Sequence, residues 1–222
     1  MADAVHPPMN RQVASEFLGT MLLLATVVGS GIMGERLAAG NVAIALLANA
    51  LATGAMLFVL IQVFGPVSGA HFNPLVTLAM VADKRLSAAS AVPYGVAQVL
   101  GGLAGVLLAH AMFDLPVAQV SQKMRWGTGQ WLAEATASFG LLLTILVLLR
   151  HKAEAIPQAV ALYIVGAYWF TASTSFANPA VTLARSFSDT FAGIAPSCVL
   201  PFMAAQAAGG VLAILAVRRL TS

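Results

Sequence analysis

Charge is what this chain has least of. Only 9% of its 222 residues are Asp, Glu, Lys or Arg, and 59% are hydrophobic, against about 25% charged in a soluble domain. No soluble fold hides that much apolar surface, so the bilayer must act as solvent. Cysteine is almost absent. The single one, Cys198, excludes an intrachain disulfide, and packing is its expected role. A cleavable leader is not expected either: residues 1–12 are polar, and the first apolar stretch is long and lacks a small-residue cleavage site. Catalytic sets are also missing. There is no His/Asp/Glu cluster with metal-ligand spacing, no Ser/His/Asp set and no phosphate loop, so no enzyme, metal or cofactor is expected. The net charge of +3 would suggest nucleic acid only if it clustered. It lies in connections between apolar stretches, which points to membrane orientation instead.

What is present is six long apolar stretches, roughly 13–33, 42–64, 91–112, 130–150, 156–173 and 195–217. A membrane helix needs about 20 such residues at 1.5 Å each. Arg11, Lys84, Arg85, Arg150, Lys152, Arg218 and Arg219 fall on one side of these spans, and Arg36, Lys123 and Arg125 on the other. The excess predicts a multi-pass protein of the cell membrane with both termini cytoplasmic.

The chain also repeats itself. Asn73-Pro74-Leu75-Val76-Thr77-Leu78-Ala79 returns 105 residues later as Asn178-Pro179-Ala180-Val181-Thr182-Leu183-Ala184. Each copy reads as a helix start, with Asn as N-cap and Pro pre-set at the first helical position. Each follows an irregular approach, Gly65 to Phe72 and Thr171 to Ala177. In a membrane protein this is the pattern of a half-helix that enters the bilayer and stops midway. Two half-helices of about ten residues would together cover the roughly 30 Å of hydrocarbon, with their N-termini meeting at the midplane. Each N-terminus carries about half a positive charge, a barrier to cations but not to neutral solutes. Glu16 and Glu134 open the two halves, and Gln98-Val99-Leu100-Gly101-Gly102 matches Gln206-Ala207-Ala208-Gly209-Gly210. Each half therefore reads Glu helix, helix, box, Gln-Gly-Gly helix, with the glycines as close-packing seams. Three spans per half turn the second half upside down. The reading is an all-α membrane protein: six transmembrane helices plus two re-entrant half-helices. It forms one domain over 1–222, built of two inverted repeats at about 12–113 and 129–217.

These paired boxes resemble those of the aquaporin/aquaglyceroporin superfamily over about residues 12–217. The resemblance implies a pore lined by Asn73, Pro74, Asn178 and Pro179, with carbonyls of the approaches as acceptors. It also implies a homotetramer with one pore per subunit, whose partners are water, small neutral solutes and the lipid bilayer. His71 reads either as a proton relay or, preferably, as a packing residue. Glu16 and Glu134 are ionisable groups in spans. Their shared position favours a structural job, satisfying N–H groups of the approaches, over proton coupling. His110 is the lone further ionisable group near the end of the third span.

One departure from the family stands out. Most members carry Arg straight after the second Asn-Pro-Ala, where this chain has Val181. Carried over by spacing, the other filter positions are Thr53, Gly166 and Ser175, or Val165 and Thr174 if the register slips by one. That quartet holds no aromatic and no charge, and predicts a wide, weakly polar opening. Bacterial aquaglyceroporins associated with arsenical resistance are similar in reading Asn-Pro-Ala-Val-Thr. Arg185 could be a displaced filter arginine, but an i,i+4 pair with Asp189 at the rim is the favoured expectation. The expected function is a passive channel for glycerol, urea, arsenous or methylated arsenic acids, and water. A mainly water-conducting aquaporin and an inverted-repeat secondary transporter are the alternatives.

Overall fold

Polar residues at the ends of apolar runs set where helices begin. The Asn41 side chain accepts from the N–H groups of Ala43 and Ile44, and that of Ser87 from Ser90. Each cap satisfies donors that the first helical turn leaves unpaired. The computed structural model describes residues 7–220. Its helices are α1 (Met9–Leu37), α2 (Val42–Ser68), α3 (Pro74–Ala82), α4 (Ala88–Met112), α5 (Thr128–His151), α6 (Ile156–Phe170), α7 (Pro179–Arg185) and α8 (Val199–Leu220). No strand occurs among the described residues.

Five helical segments are long and apolar enough to cross a membrane among the described residues: α1, α2, α4, α5 and Pro196–Leu220. The protein is a multi-pass membrane protein. The expected span at 156–173 is the shorter helix α6, 15 residues long and thus about 22 Å. Pro157 fixes its first turn, and Thr171 turns extended just beyond its end. The half-helices are also shorter than ten residues, nine in α3 and seven in α7. A second difference lies at the first approach. Gly65 to Ser68 continue α2 even through Pro66, and the helix ends only at Gly69, which adopts φ 85° and donates its N–H to the Gly65 carbonyl. A left-handed glycine is a standard helix terminator, so the irregular stretch shrinks to four residues.

Helix α1 packs on α2 and α4, α5 packs on α6 and α8, and α3 and α7 each contact α4, α8 and one another. Two equivalent glycines mark close seams, one in each half. A methyl group on Gly101 would lie 2.3 Å from the Phe17 carbonyl oxygen, and one on Gly209 would lie 2.0 Å from that of Ala135. No side chain fits there, so α1–α4 and α5–α8 touch backbone to backbone. Phe17 follows Glu16 and Ala135 follows Glu134. The same seam thus sits beside each buried carboxylate.

Candidate functional site

The two boxes meet in the wall of one cavity of about 700 Å³. Asn73 caps α3 by accepting from Leu75 N–H, and Asn178 caps α7 by accepting from Ala180 and Val181 N–H. Their amide nitrogens cross to the other box. Asn73 Nδ2 donates to the Ala177 carbonyl at 2.8 Å, and Asn178 Nδ2 to the Phe72 carbonyl at 2.8 Å. Both asparagines line the cavity. Pro74 and Pro179 hold the first helical positions, where a missing N–H costs nothing.

The chain leading into each box follows one backbone pattern twice. Gly69, Ala70 and Phe72 have φ of 85°, 51° and 49°, while Thr174, Ser175 and Ala177 have 62°, 52° and 48°. Left-handed conformations cost a non-glycine residue about 1–3 kcal/mol, so something must hold them. Two buried carboxylates do. Glu16 accepts from Ser68 Oγ at 2.6 Å, His71 N at 2.9 Å, Phe72 N at 2.7 Å and Gln98 Nε2 at 2.8 Å. Glu134 accepts from Phe176 N at 2.8 Å, Ala177 N at 2.9 Å and Gln206 Nε2 at 2.5 Å. Each glutamine also donates to a half-helix hydroxyl, Gln98 to Thr77 and Gln206 to Thr182. The left-handed residues turn these N–H groups toward the glutamates.

The cavity walls are one-turn stripes. Thr53, Leu57 and Ile61 come from α2, Leu141, Ile145 and Leu149 from α5, and Ile156, Val160, Ile164 and Tyr168 from α6. Residues four apart share a helix face, so each helix offers one stripe to the cavity. Among the expected filter residues, Thr53, Ser175 and Val181 line the cavity. Gly166 does not. It is exposed on the outer face of α6, with open space where a side chain would stand. The one-residue slip fails as well, because Val165 packs against Gly54 and Thr174 is not in the lining. Tyr168 faces inward instead, buried, with its hydroxyl 3.3 Å from Thr53 Oγ1. An aromatic residue therefore stands beside Thr53 in the cavity wall.

Arg185 also differs from its favoured expectation. Helix α7 stops at Arg185, so no helical i,i+4 relation to Asp189 exists. Asp189 instead accepts from the backbone N–H of Gln122 at 2.9 Å. Arg185 turns inward and lines the cavity: its Nε donates to the Ala192 carbonyl, and its guanidinium carbon lies 3.4 Å from the Phe176 ring centre. Arg125 approaches the same ring at 4.9 Å and donates to the Gly193 and Ser173 carbonyls, fastening two connections.

His71, His110 and Cys198 each have a defined place. His71 lines the cavity, with Nδ1 3.1 Å from Thr77 Oγ1 and its ring 5.3 Å from that of Tyr94. His110 is buried away from the lining, its ring nitrogens 2.9 Å from Val117 O and 2.9 Å from Ser188 Oγ. Cys198 is buried in the core.

With both boxes in one cavity wall, the match to known proteins is decisive. The family model described as Major intrinsic protein matches residues 3–176. The chain belongs to the major intrinsic protein family. It is 53% identical over 210 residues to Aquaglyceroporin AqpS of Rhizobium meliloti (strain 1021), covering 95% of this chain and 90% of that protein. It is 39% identical over 102 residues to Probable aquaporin PIP2-8 of Oryza sativa subsp. japonica, covering 46% of this chain and 36% of that protein. The X-ray structure of the aquaglyceroporin from Plasmodium falciparum shares the fold, with a TM-score of 0.70 at 20% identity over 94% of this chain and 95% of that one. Major intrinsic proteins are channels, not enzymes.

In this major intrinsic protein, counting back from the second box reaches the outward-facing Gly166 rather than the inward-facing Tyr168, because the chain between α6 and the box is irregular and has no fixed repeat. Apolar periodicity could not repair it. Leu162, Trp169 and Phe170 on the outer face of α6 are as apolar as Val160 and Ile164 within, since lipid and core both favour such residues.

Proposed function

We propose that this chain is a passive channel for small uncharged solutes, with its path running past the two box asparagines. The observation that carries this reading is that Asn73 and Asn178 share one cavity wall. Two helix N-termini directed at that point make a positive potential that opposes cations and protons, while a neutral hydroxylated solute passes. The amides of Asn73 and Asn178 and the exposed carbonyls of the approaches supply donors and acceptors in place of water. Pro74 and Pro179 fix the half-helices, and Glu16 and Glu134 hold the left-handed approaches rather than conduct.

The filter we infer is Thr53, Tyr168, Ser175 and Val181. Ser175 lines the cavity, and its buried hydroxyl has no hydrogen-bond partner within the described protein, which leaves it uncommitted to the scaffold. Val181 leaves methyl groups where most of the family has a guanidinium. Tyr168 makes the ring narrower than one built on Gly166, yet no cation stands at position 181. This favours glycerol, urea and undissociated arsenous or methylated arsenic acids alongside water, in keeping with a relative named an aquaglyceroporin. A secondary transporter would need carboxylates or paired charges along the path, and among the described residues the lining holds no Asp or Glu. We further propose one domain made of two inverted repeats, at about 12–113 and 129–217, assembled as a homotetramer with both termini cytoplasmic.

Stopped-flow light scattering of reconstituted liposomes tests the reading. Water and glycerol permeabilities should both exceed those of protein-free liposomes. Uptake that needs an ion gradient would instead identify a transporter.

A further inference from the structure

The cavity wall contains two arginines that the paired boxes do not require, Arg85 and Arg185. Arg85 is exposed and paired with Asp83, which leaves Arg185 as the charge without a carboxylate partner. Arg185 is 2% exposed, and neither it nor the nearby Arg125 forms an ion pair among the described residues. Beyond the Nε bond to Ala192, its guanidinium makes no hydrogen bond to the described protein. A buried cation without a counter-charge is costly, and membrane proteins retain one chiefly where it borders a watered path. Arg185 does border the cavity, together with Thr53, Tyr168, Ser175 and Val181. Helical side chains lean toward the N-terminus, so a long side chain at 185 covers the turn that carries Val181. The Phe176 face and the Ala192 carbonyl hold the guanidinium there. Helix α7, with seven residues, offers a shorter row of aligned peptide dipoles than α3.

We propose that Arg185 is the fixed cation that excludes ions at this end of the path, set back one helical turn so that neutral solutes keep the width left by Val181. The proposal rests on the channel reading above. It makes Arg185 a specificity-determining residue, not merely a cation closing the C-terminus of α7. A purely structural arginine would affect stability when replaced, but not ion leak through a folded channel.

The test uses the full chain in liposomes, with osmotic water flux measured beside sodium and proton leak. Arg185→Leu should raise the ratio of ion leak to water flux by about tenfold or more, while Arg185→Lys, which keeps the charge, should raise it far less. Moving the charge back, as Val181→Arg with Arg185→Leu, should return the leak to the wild-type level. Arg185→Met keeps an unbranched chain against Phe176 and serves if Arg185→Leu does not fold. An unchanged ratio of ion leak to water flux in either folded apolar variant overturns the proposal, and so does failure of both to give a folded protein. Wild-type liposomes no more permeable to water than empty ones would overturn the channel reading itself.

Discussion

Asn73 and Asn178 each cap their own half-helix with the side-chain oxygen and hold the other half of the chain with the side-chain nitrogen. The two crossing bonds, to Ala177 O and Phe72 O, are both 2.8 Å. Each amide thus has its oxygen and nitrogen committed to different halves. Asn73→Asp keeps the cap oxygen but sets a carboxylate against the Ala177 carbonyl. Asn73→Ala loses both contacts, a cap worth about 1 kcal/mol and a hydrogen bond of similar size. Both variants should lower the thermal unfolding midpoint in detergent. Asn73→Asp should also lose more solute flux per folded protein than Asn73→Ala, because it adds negative charge at the midplane.

Glu16 and Glu134 should fail as structural groups. Replacement by Leu would strand the His71 and Phe72 N–H groups in one half, and those of Phe176 and Ala177 in the other. Each buried orphan costs about 1–3 kcal/mol. Replacement by Gln keeps an acceptor and should be milder. Folded yield on size-exclusion chromatography is the readout, with Leu well below Gln and wild type. A Leu variant of full yield and lost flux would make the carboxylate a conducting group.

Helix contact at the glycine seams gives a separate expectation. Gly101→Ala and Gly209→Ala put a methyl group onto the carbonyls of Phe17 and Ala135, so the helix pairs must move apart. Overpacking of this kind costs about 1–3 kcal/mol. Both variants should show lower unfolding midpoints, while Gly95→Ala, where nothing lies within 4 Å, should not.

The register of α6 is testable through two positions. Gly166→Leu should leave the glycerol-to-water permeability ratio unchanged, since residue 166 faces outward. Tyr168→Ala should raise the ratio by opening the ring beside Thr53. Stopped-flow measurement on the two variants decides between the positions.

Much of this molecule could be read from its residues because the duplication carries two independent copies of each signal. The Asn-Pro boxes, the glutamates and the Gln-Gly-Gly seams are polar or small residues in apolar helices, where their presence demands a partner. The inward face of α6 and the place of Arg185 were harder for opposite reasons. Tyr168 lies on a helix whose two faces are equally apolar. Arg185 has a sequence neighbour, Asp189, that suggests a surface pair, and only the end of α7 at residue 185 breaks that relation. The Pro66 turn misled as well: a Gly-Pro pair usually interrupts a helix, yet α2 continues to Ser68.

The most direct test of the conduit is Val181→Arg, measured as glycerol, arsenous-acid and water permeability in the same liposome preparation. Val181 is buried at the third position of α7 and lines the cavity beside Asn178 and Ser175. A guanidinium there fills the opening left by the methyls, and its donors suit water better than a larger solute. The account predicts that glycerol and arsenous-acid flux fall several-fold more than water flux. An unchanged ratio of large-solute to water permeability, in a folded variant, would contradict it.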